Sequence, residues 1–262
     1  MRRSFLCVFV LLTATLAAGA ATAEDIRVMI SAGFFNVYAE LGPAFEKSTG
    51  HKLVTTRGPS LGDSPEAIPT RLARGEAADV VIMDGAGVDL LDRRGMTRPG
   101  SRIPLAESFI GMVVRAGQPK PDISTVDAMR KTLLAAKSIA YSDSSSGTYL
   151  STIGFKKLGV ADEIAGKTRK VRGPPSGEPV AAVVARGEAE VGFQQVAELI
   201  HVPGVDFVGT VPPDVQPPTF FVGALPNSSQ RLDSEVALLR FLSSAEAASV
   251  IAKAGLKPLA AR

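Results

Sequence analysis

The 262-residue chain contains one cysteine, two histidines and, after its first residues, no long apolar run. Each scarcity excludes a class of chemistry. Cys7 sits at the extreme N-terminal end, so the rest of the chain has no thiol for disulfides, cysteine metal sites or thiolate catalysis. His51 stands at a helix-to-strand turn and His201 in "ELIHVPG", both away from the loops discussed below, and both read as surface residues. Neither belongs to an HExxH or paired-histidine pattern, and no G-x-S-x-G elbow is present. A zinc hydrolase and a Ser-His-Asp hydrolase are therefore poor readings, and neither a metal nor a cofactor is expected. No basic run is dense enough for nucleic acid.

The chain opens "MRRSFLCVFVLLTATLAAGAATAEDI". Arg2 and Arg3 form a basic start, Phe5 to Leu16 an apolar run too short for a bilayer, and Ala21-Thr22-Ala23 a small-x-small cleavage pattern. This predicts a signal peptide over residues 1–23, cleaved near Ala23, and a periplasmic protein with no membrane anchor. Without Arg2 and Arg3 the net charge falls from +3 to about +1. An apolar fraction of 45% supplies enough material for a core.

Strand and helix patterns alternate. "DIRVMISAG" reads as a strand, and the next segment has helical spacing at Val37, Leu41 and Phe45 with Gly50 as its stop. "HKLVTTRG" and "ADVVIMDG" are further strands, with a helix between them predicted to begin at Pro65 behind a Ser64 cap. "FIGMVVRAG", "KSIAYS" and "AEVGFQQ" repeat the strand pattern; "PKPDIS" (119–124) reads as a crossing or boundary. The alternation predicts an α/β fold. "ARGEAADVVIMDGAGVDLL" and "ARGEAEVGFQQVAELI" share a grammar of helix end, acidic turn, strand and helix, preceded by "GPSLGDSPEA" and "GPPSGEPVA". The echo suggests two similar lobes facing one cleft.

Four loops, "SAGFFN", "GPSLGDS", "SDSSSG" and "GPPSGEP", each join a strand end to a helix start. One serine cap would be routine. Four at the same topological position suggest a shared anion cradle of hydroxyls, N–H groups and positive helix ends.

In their order, "SAG", "GPS", "RLARGEAADVVI", "FIGMVV", "AYSDSSSG" and "PVAAVVARGEAEVGF" resemble the type 2 periplasmic binding proteins, and within them the molybdate-binding branch. The resemblance covers nearly all of the chain after residue 23. It implies two lobes, each a mixed sheet flanked by helices, with ligand between them. The implied boundaries are lobe 1 at 24–108, lobe 2 at 109–215 and a return to lobe 1 with closing helices at 216–262. Carried over by motif, the binding hydroxyls fall on Ser31 and Ser60, and the N–H donors in Ser144, Ser145 and Ser146 and near Val180. Where that branch has a tyrosine this chain has Gln195, and arginines gather nearby. Guanidinium groups match carboxylates in a bidentate fork, which favours an organic acid over molybdate.

A narrower resemblance runs through "PSLGDSPEAIPTRLARGEAADVVIMDG", "AYSDSSSGTYLS", "EPVAAVVARGEAEVGFQQVAEL" and "VPGVDFVG", which are similar to the periplasmic aconitate isomerases. It implies cofactor-independent interconversion of trans- and cis-aconitate by allylic proton transfer. That chemistry needs a pocket for three carboxylates, a base beside the methylene, and stabilisation of an enolate-like intermediate. Expected substrate contacts are Ser31, Gly33, Ser60, Gly62, Arg71, Ser144, Ser145, Ser146, Arg172, Val180, Gln194 and Gln195. Of the two glutamines, one must point away because strand side chains alternate. The candidate bases are Glu178 and Asp143, each also readable as an ordinary loop or helix-start acid. The alternative is a receptor that hands a molybdate-like oxyanion or a carboxylate to an ABC permease; scaffold alone does not separate the two.

Overall fold

The computed structural model describes residues 23–230 and 232–259, so the predicted signal, up to its last residue, lies outside the described residues. In chain order the strands are β1 Asp25–Ile30, β2 Lys52–Arg57, β3 Val80–Asp84, β4 Ile103–Ser108, β5 Ile110–Arg115, β6 Ile139–Ser142, β7 Thr168–Val171, β8 Val191–Gln195, β9 Val205–Thr210, β10 Thr219–Ala224 and β11 Lys257–Pro258. The helices are α1 Ala32–Thr49, α2 Ile68–Ala73, α3 Gly85–Arg93, α4 Val126–Ala135, α5 Ser145–Tyr149, α6 Phe155–Lys157, α7 Ala161–Ile164, α8 Val180–Ala185, α9 Val196–Leu199, α10 Leu232–Leu242 and α11 Ala248–Lys253. A π-helical turn at Leu150–Gly154 joins α5 to α6.

Two mixed sheets form two lobes. The first has the order β11-β4-β10-β3-β1-β2, the second β7-β6-β8-β5-β9. Read from opposite ends, the second repeats the first without its outermost strand. β3 runs parallel to β1 and antiparallel to β10, while β8 runs parallel to β6 and antiparallel to β5. The two "ARGEA" segments thus enter equivalent central strands. Both strands are buried along their whole length, as expected where helices cover both faces of a sheet.

Local sequence accounts for these elements. α1 begins after Ser31 and buries Phe34, Val37, Tyr38 and Phe45 against the first sheet; Leu41 is half-buried at the edge of that face. It ends at Gly50, whose φ of 79° lets its N–H reach the Glu46 carbonyl. The helix expected to start at Pro65 starts instead at Ile68. Residues 65–67 form a turn in which the Ser64 hydroxyl accepts from the Glu66 N–H, and Pro69 takes the first-turn place.

The chain leaves the first sheet between Ser108 and Ile110 and returns between Thr210 and Thr219. The "PKPDIS" segment is a loop within the second lobe and not a crossing. Gln216 stitches the true crossings together: its Oε1 accepts from the Ile110 N–H at 2.7 Å, and its Nε2 donates to the carbonyls of Ile110 and Val211. A buried amide with all these bonds made holds the hinge without a desolvation penalty. Among the described residues, no helix is long and apolar enough to cross a membrane.

Candidate functional site

The helix starts of both lobes meet at a small hollow. From the first lobe it is lined by Ser31, Gly33, Ser60, Asp84 and Phe221; from the second by Ser144, Ser145, Ser146, Gln195 and Glu198. Its volume is about 10 Å³, close to the least that holds one water. Through Asp84, Ser145 and Ser146 it adjoins a cleft of about 460 Å³, a size typical of small-molecule sites. A third cavity of about 270 Å³, lined by Asp63, Ser64, Asp143, Lys170 and Arg172, also lies between the lobes.

The hollow is built from strand ends. Ser31 follows β1, and its N–H is spent on the Ile82 carbonyl, while its buried hydroxyl has no partner. Ser60 follows β2; its hydroxyl accepts the Asp84 N–H at 3.0 Å, which leaves its own proton to give. Ser144 caps α5 by position with no side-chain bond, and the Ser145 hydroxyl is buried without a partner of ordinary geometry. Ser146 pairs with Ser142 at 2.9 Å. Two buried hydroxyls without partners are costly unless a ligand supplies what they lack.

Gly33 is needed because a side chain there would strike the Phe221 ring at 2.2 Å. Gly62, with φ at 114°, approaches the other lobe so closely that a Cβ would lie 2.6 Å from the Asp143 carbonyl oxygen. It is a point of lobe contact and does not line the hollow. Beside it the lobes also meet through Lys170 and Asp63 at 3.5 Å, and elsewhere through Asn36 Nδ2 donating to the Ala197 carbonyl at 3.1 Å.

The two glutamines take opposite tasks, as strand alternation requires. Gln195 faces the hollow and is anchored to both hinge strands: its Oε1 accepts from the Ser108 hydroxyl at 2.7 Å and its Nε2 donates to Thr219 at 3.1 Å. Gln194 turns to the other side. Its Oε1 accepts the Val180 N–H at 3.0 Å, so the backbone donor expected for ligand is occupied within the protein. Its Nε2 donates to Glu198 at 2.5 Å.

Several expected residues lie elsewhere. Glu178 sits away from the hollow, gripped at both oxygens by the Arg186 guanidinium at 2.6 Å. That pairing holds its carboxyl below the usual range, which suits a surface ion pair and not a base. Arg71 is committed locally, donating to the Glu66 carbonyl and to Glu76 at 2.8 Å, because it faces along its own short helix. Asp143 and Arg172 belong to the third cavity, where Asp143 accepts the Gly173 N–H at 3.0 Å. The "GPPSGEP" loop does not line the hollow either; Ser176 reaches across to Glu66 at 2.6 Å and ties the lobes.

Two charged residues that line the hollow, Asp84 and Glu198, were not among the expected contacts or bases, nor was Arg57, which lines a separate cavity but whose charge acts on Glu198. Asp84 ends β3 and caps α3 by accepting the Ala86 N–H at 2.9 Å; burial raises its pKa, against that bond and the nearby Ser145 hydroxyl. Glu198 stands in the first turn of α9, where desolvation raises its pKa to about 7, opposed by the Gln194 amide and the Arg57 charge. Arg57 ends β2 and lies 4.0 Å from the centre of the Phe35 ring, its Nε buried without a partner. Burial lowers its pKa, partly offset by Glu198. An acid in a helix's first turn is so ordinary that only the desolvation of its half-buried carboxylate distinguishes Glu198.

Comparison with known proteins bears on this geometry. The family model described as bacterial extracellular solute-binding protein matches residues 26–257. The chain is 46% identical over 252 residues to an aconitate isomerase of Pseudomonas sp, covering 96% of this chain and 95% of that one. It is 27% identical over 191 residues to the molybdate-binding protein ModA of Azotobacter vinelandii, covering 72% of each. The solved periplasmic molybdate-binding protein of Azotobacter vinelandii superposes with a TM-score of 0.68 at 22% identity, over 88% of this chain and 98% of that one.

Proposed function

The chain belongs to the bacterial extracellular solute-binding protein family, and we propose that within it this chain is a periplasmic, cofactor-independent isomerase interconverting trans- and cis-aconitate. The observation that carries this reading is the 46% identity, along nearly the whole of both chains, to the Pseudomonas aconitate isomerase. The site supports it chemically. Hydroxyls of Ser31, Ser60, Ser145 and Ser146 and the Gln195 amide offer donors to carboxylates, and helix starts add positive potential. With the lobes as they stand, the hollow is too small for a tricarboxylate, so substrate enters as the lobes part and is enclosed as they close. Arg172 and Lys170 in the neighbouring cavity supply cationic charge along the same interface.

The reaction moves a C–H bond and a double bond together. A base removes a proton from the methylene, the freed pair becomes the new C=C bond, and the former vinyl carbon takes a proton. No electron is gained or lost, so no redox partner is needed.

A receptor that binds an oxyanion or carboxylate for a permease is the second reading, favoured by the likeness to molybdate-binding proteins. One experiment separates them. The protein in D2O with trans-aconitate is followed by proton NMR; the isomerase reading expects cis-aconitate and deuterium on carbon. Substrate left intact and unlabelled, with molybdate raising the melting temperature, rejects it for the receptor.

A further inference from the structure

Glu198 is the one carboxylate on the second lobe that lines the hollow. Its Oε2 accepts from Gln194, and among the described residues its Oε1 has no hydrogen-bond partner. Gln194 is in turn fixed by the first N–H of α8, so the carboxylate is held in one orientation by a chain of two bonds. α9 is wedged between lobes: Ala197 is buried in the first lobe's core, and its carbonyl accepts from Asn36. The carboxylate thus sits where the lobes hinge against each other, beside hydroxyls that lack partners.

The charged surroundings are sparse. Arg57 from β2 and Asp143 from the loop after β6 act on Glu198 with opposite sign, and Asp84 lines the hollow from the first lobe. Of the elements packed on α9, β8 and α8 carry no titratable side chain. α1 carries Tyr38, Glu40, Glu46 and Lys47, β5 carries Arg115, and β9 carries Asp206, which is bonded to the Gly117 N–H. A purely structural polar residue here would be served by a neutral amide. A carboxylate in a desolvated site is costly unless pairing and hydrogen bonds offset it, and here the Gln194 amide gives it one bond.

We propose that Glu198 is the catalytic base of the isomerisation, taking a methylene proton on Oε1 and, after partial exchange with solvent, delivering a proton to the other end of the allylic system, with Gln194 as its positioning residue. This rests on the isomerase reading. A carboxyl ionising near pH 7 suits both halves of that task, since it gives and takes a proton with nearly equal ease. Asp84 is less suited, because the Ala86 N–H and the Ser145 hydroxyl both favour its ionised form, whereas Glu198 has the single bond from Gln194. Arg57 does not line the hollow, but its charge acts on Glu198 and favours the ionised carboxylate.

The test compares wild type, Glu198→Gln and Glu198→Asp for turnover and solvent deuterium incorporation, with trans-aconitate-induced thermal stabilisation as the binding readout. Glu198→Gln is expected to lose about 10²–10⁴-fold in both rates while keeping the ligand-induced shift, and Glu198→Asp to retain part of the activity. Glu198→Gln within tenfold of an active wild type overturns the assignment and leaves the isomerase reading standing. A wild type that neither interconverts nor labels rejects the isomerase reading and the assignment with it. Should Glu198→Gln fail to fold, the wild-type kcat profile decides: a limb near pH 7 is expected, and a flat profile from pH 5 to 8 overturns the assignment.

Discussion

Gln194 and Glu198, one turn apart across the β8–α9 junction, are joined by a hydrogen bond of 2.5 Å from Nε2 to Oε2. The same amide accepts the Val180 N–H, so one side chain satisfies a helix start and aims a carboxylate. The bond favours the ionised carboxylate, and desolvation opposes it more strongly.

Replacing Gln194 by leucine removes both functions. The Val180 N–H and the carboxylate are left without this partner in a buried site, at a cost of about 1–3 kcal/mol, read as a lower urea midpoint. Loss of the amide also raises the Glu198 pKa further, so the ionisation limb of the rate moves to higher pH.

The stability of the wild type should fall as pH rises from about 4.5 to above 7. Burial raises the Glu198 pKa from 4.5 to about 7, so in that window the folded state binds more protons than the unfolded state, and the slope of unfolding free energy with pH is negative. The full effect is on the order of 3 kcal/mol. Glu198→Gln should flatten this dependence and be the more stable protein at pH 8, in chemical denaturation measured across pH. Equal slopes for the two proteins would contradict the buried, charged environment.

Ser31→Ala deletes a buried hydroxyl that has no partner in the protein, and Ser145→Ala one whose neighbour is the Asp84 carboxylate, without a bond of ordinary geometry. Their folding stability should stay within about 0.5 kcal/mol of wild type or rise. Ligand-induced stabilisation should fall, by tenfold or more in affinity, since a hydrogen bond to a charged group is worth about 1.5–3 kcal/mol. Calorimetric titration with trans-aconitate alongside melting curves separates the two effects.

Gly62→Ala should act on lobe closure. A side chain there needs an unfavourable positive φ and meets the Asp143 carbonyl, a strain of about 1–3 kcal/mol in the closed arrangement. Small-angle scattering with saturating ligand should show a larger radius of gyration than wild type, with weaker binding.

The architecture was largely legible in the chain. Val37 and Phe45 marked the buried face of α1, and the repeated "ARGEA" grammar announced two equivalent central strands. β4, β9, β10 and β11 went unread: Pro104 and polar residues break the strand pattern of β4, and two residues of β11 carry no periodicity. Within the site, serine-rich junctions pointed to Ser31, Ser60 and Ser144–Ser146 because the strand-end position of such loops is itself a local signal. Arg71 and Glu178 misled because a charged residue near a loop reads the same whether it faces a ligand or a neighbouring ion.

What the sequence determined by itself was therefore the set of turns that end strands and start helices, since capping, alternation and chain direction are local matters. Only the tertiary structure decided which charges are stripped of water. Glu198 looks like any acid in a helix's first turn; its desolvation, at a half-buried position, comes from β8, α1 and the opposing lobe, parts of the chain brought together only by folding. Desolvation is a property of what surrounds a group in space, and for that reason the residue best placed to move a proton was the one its local sequence least advertised.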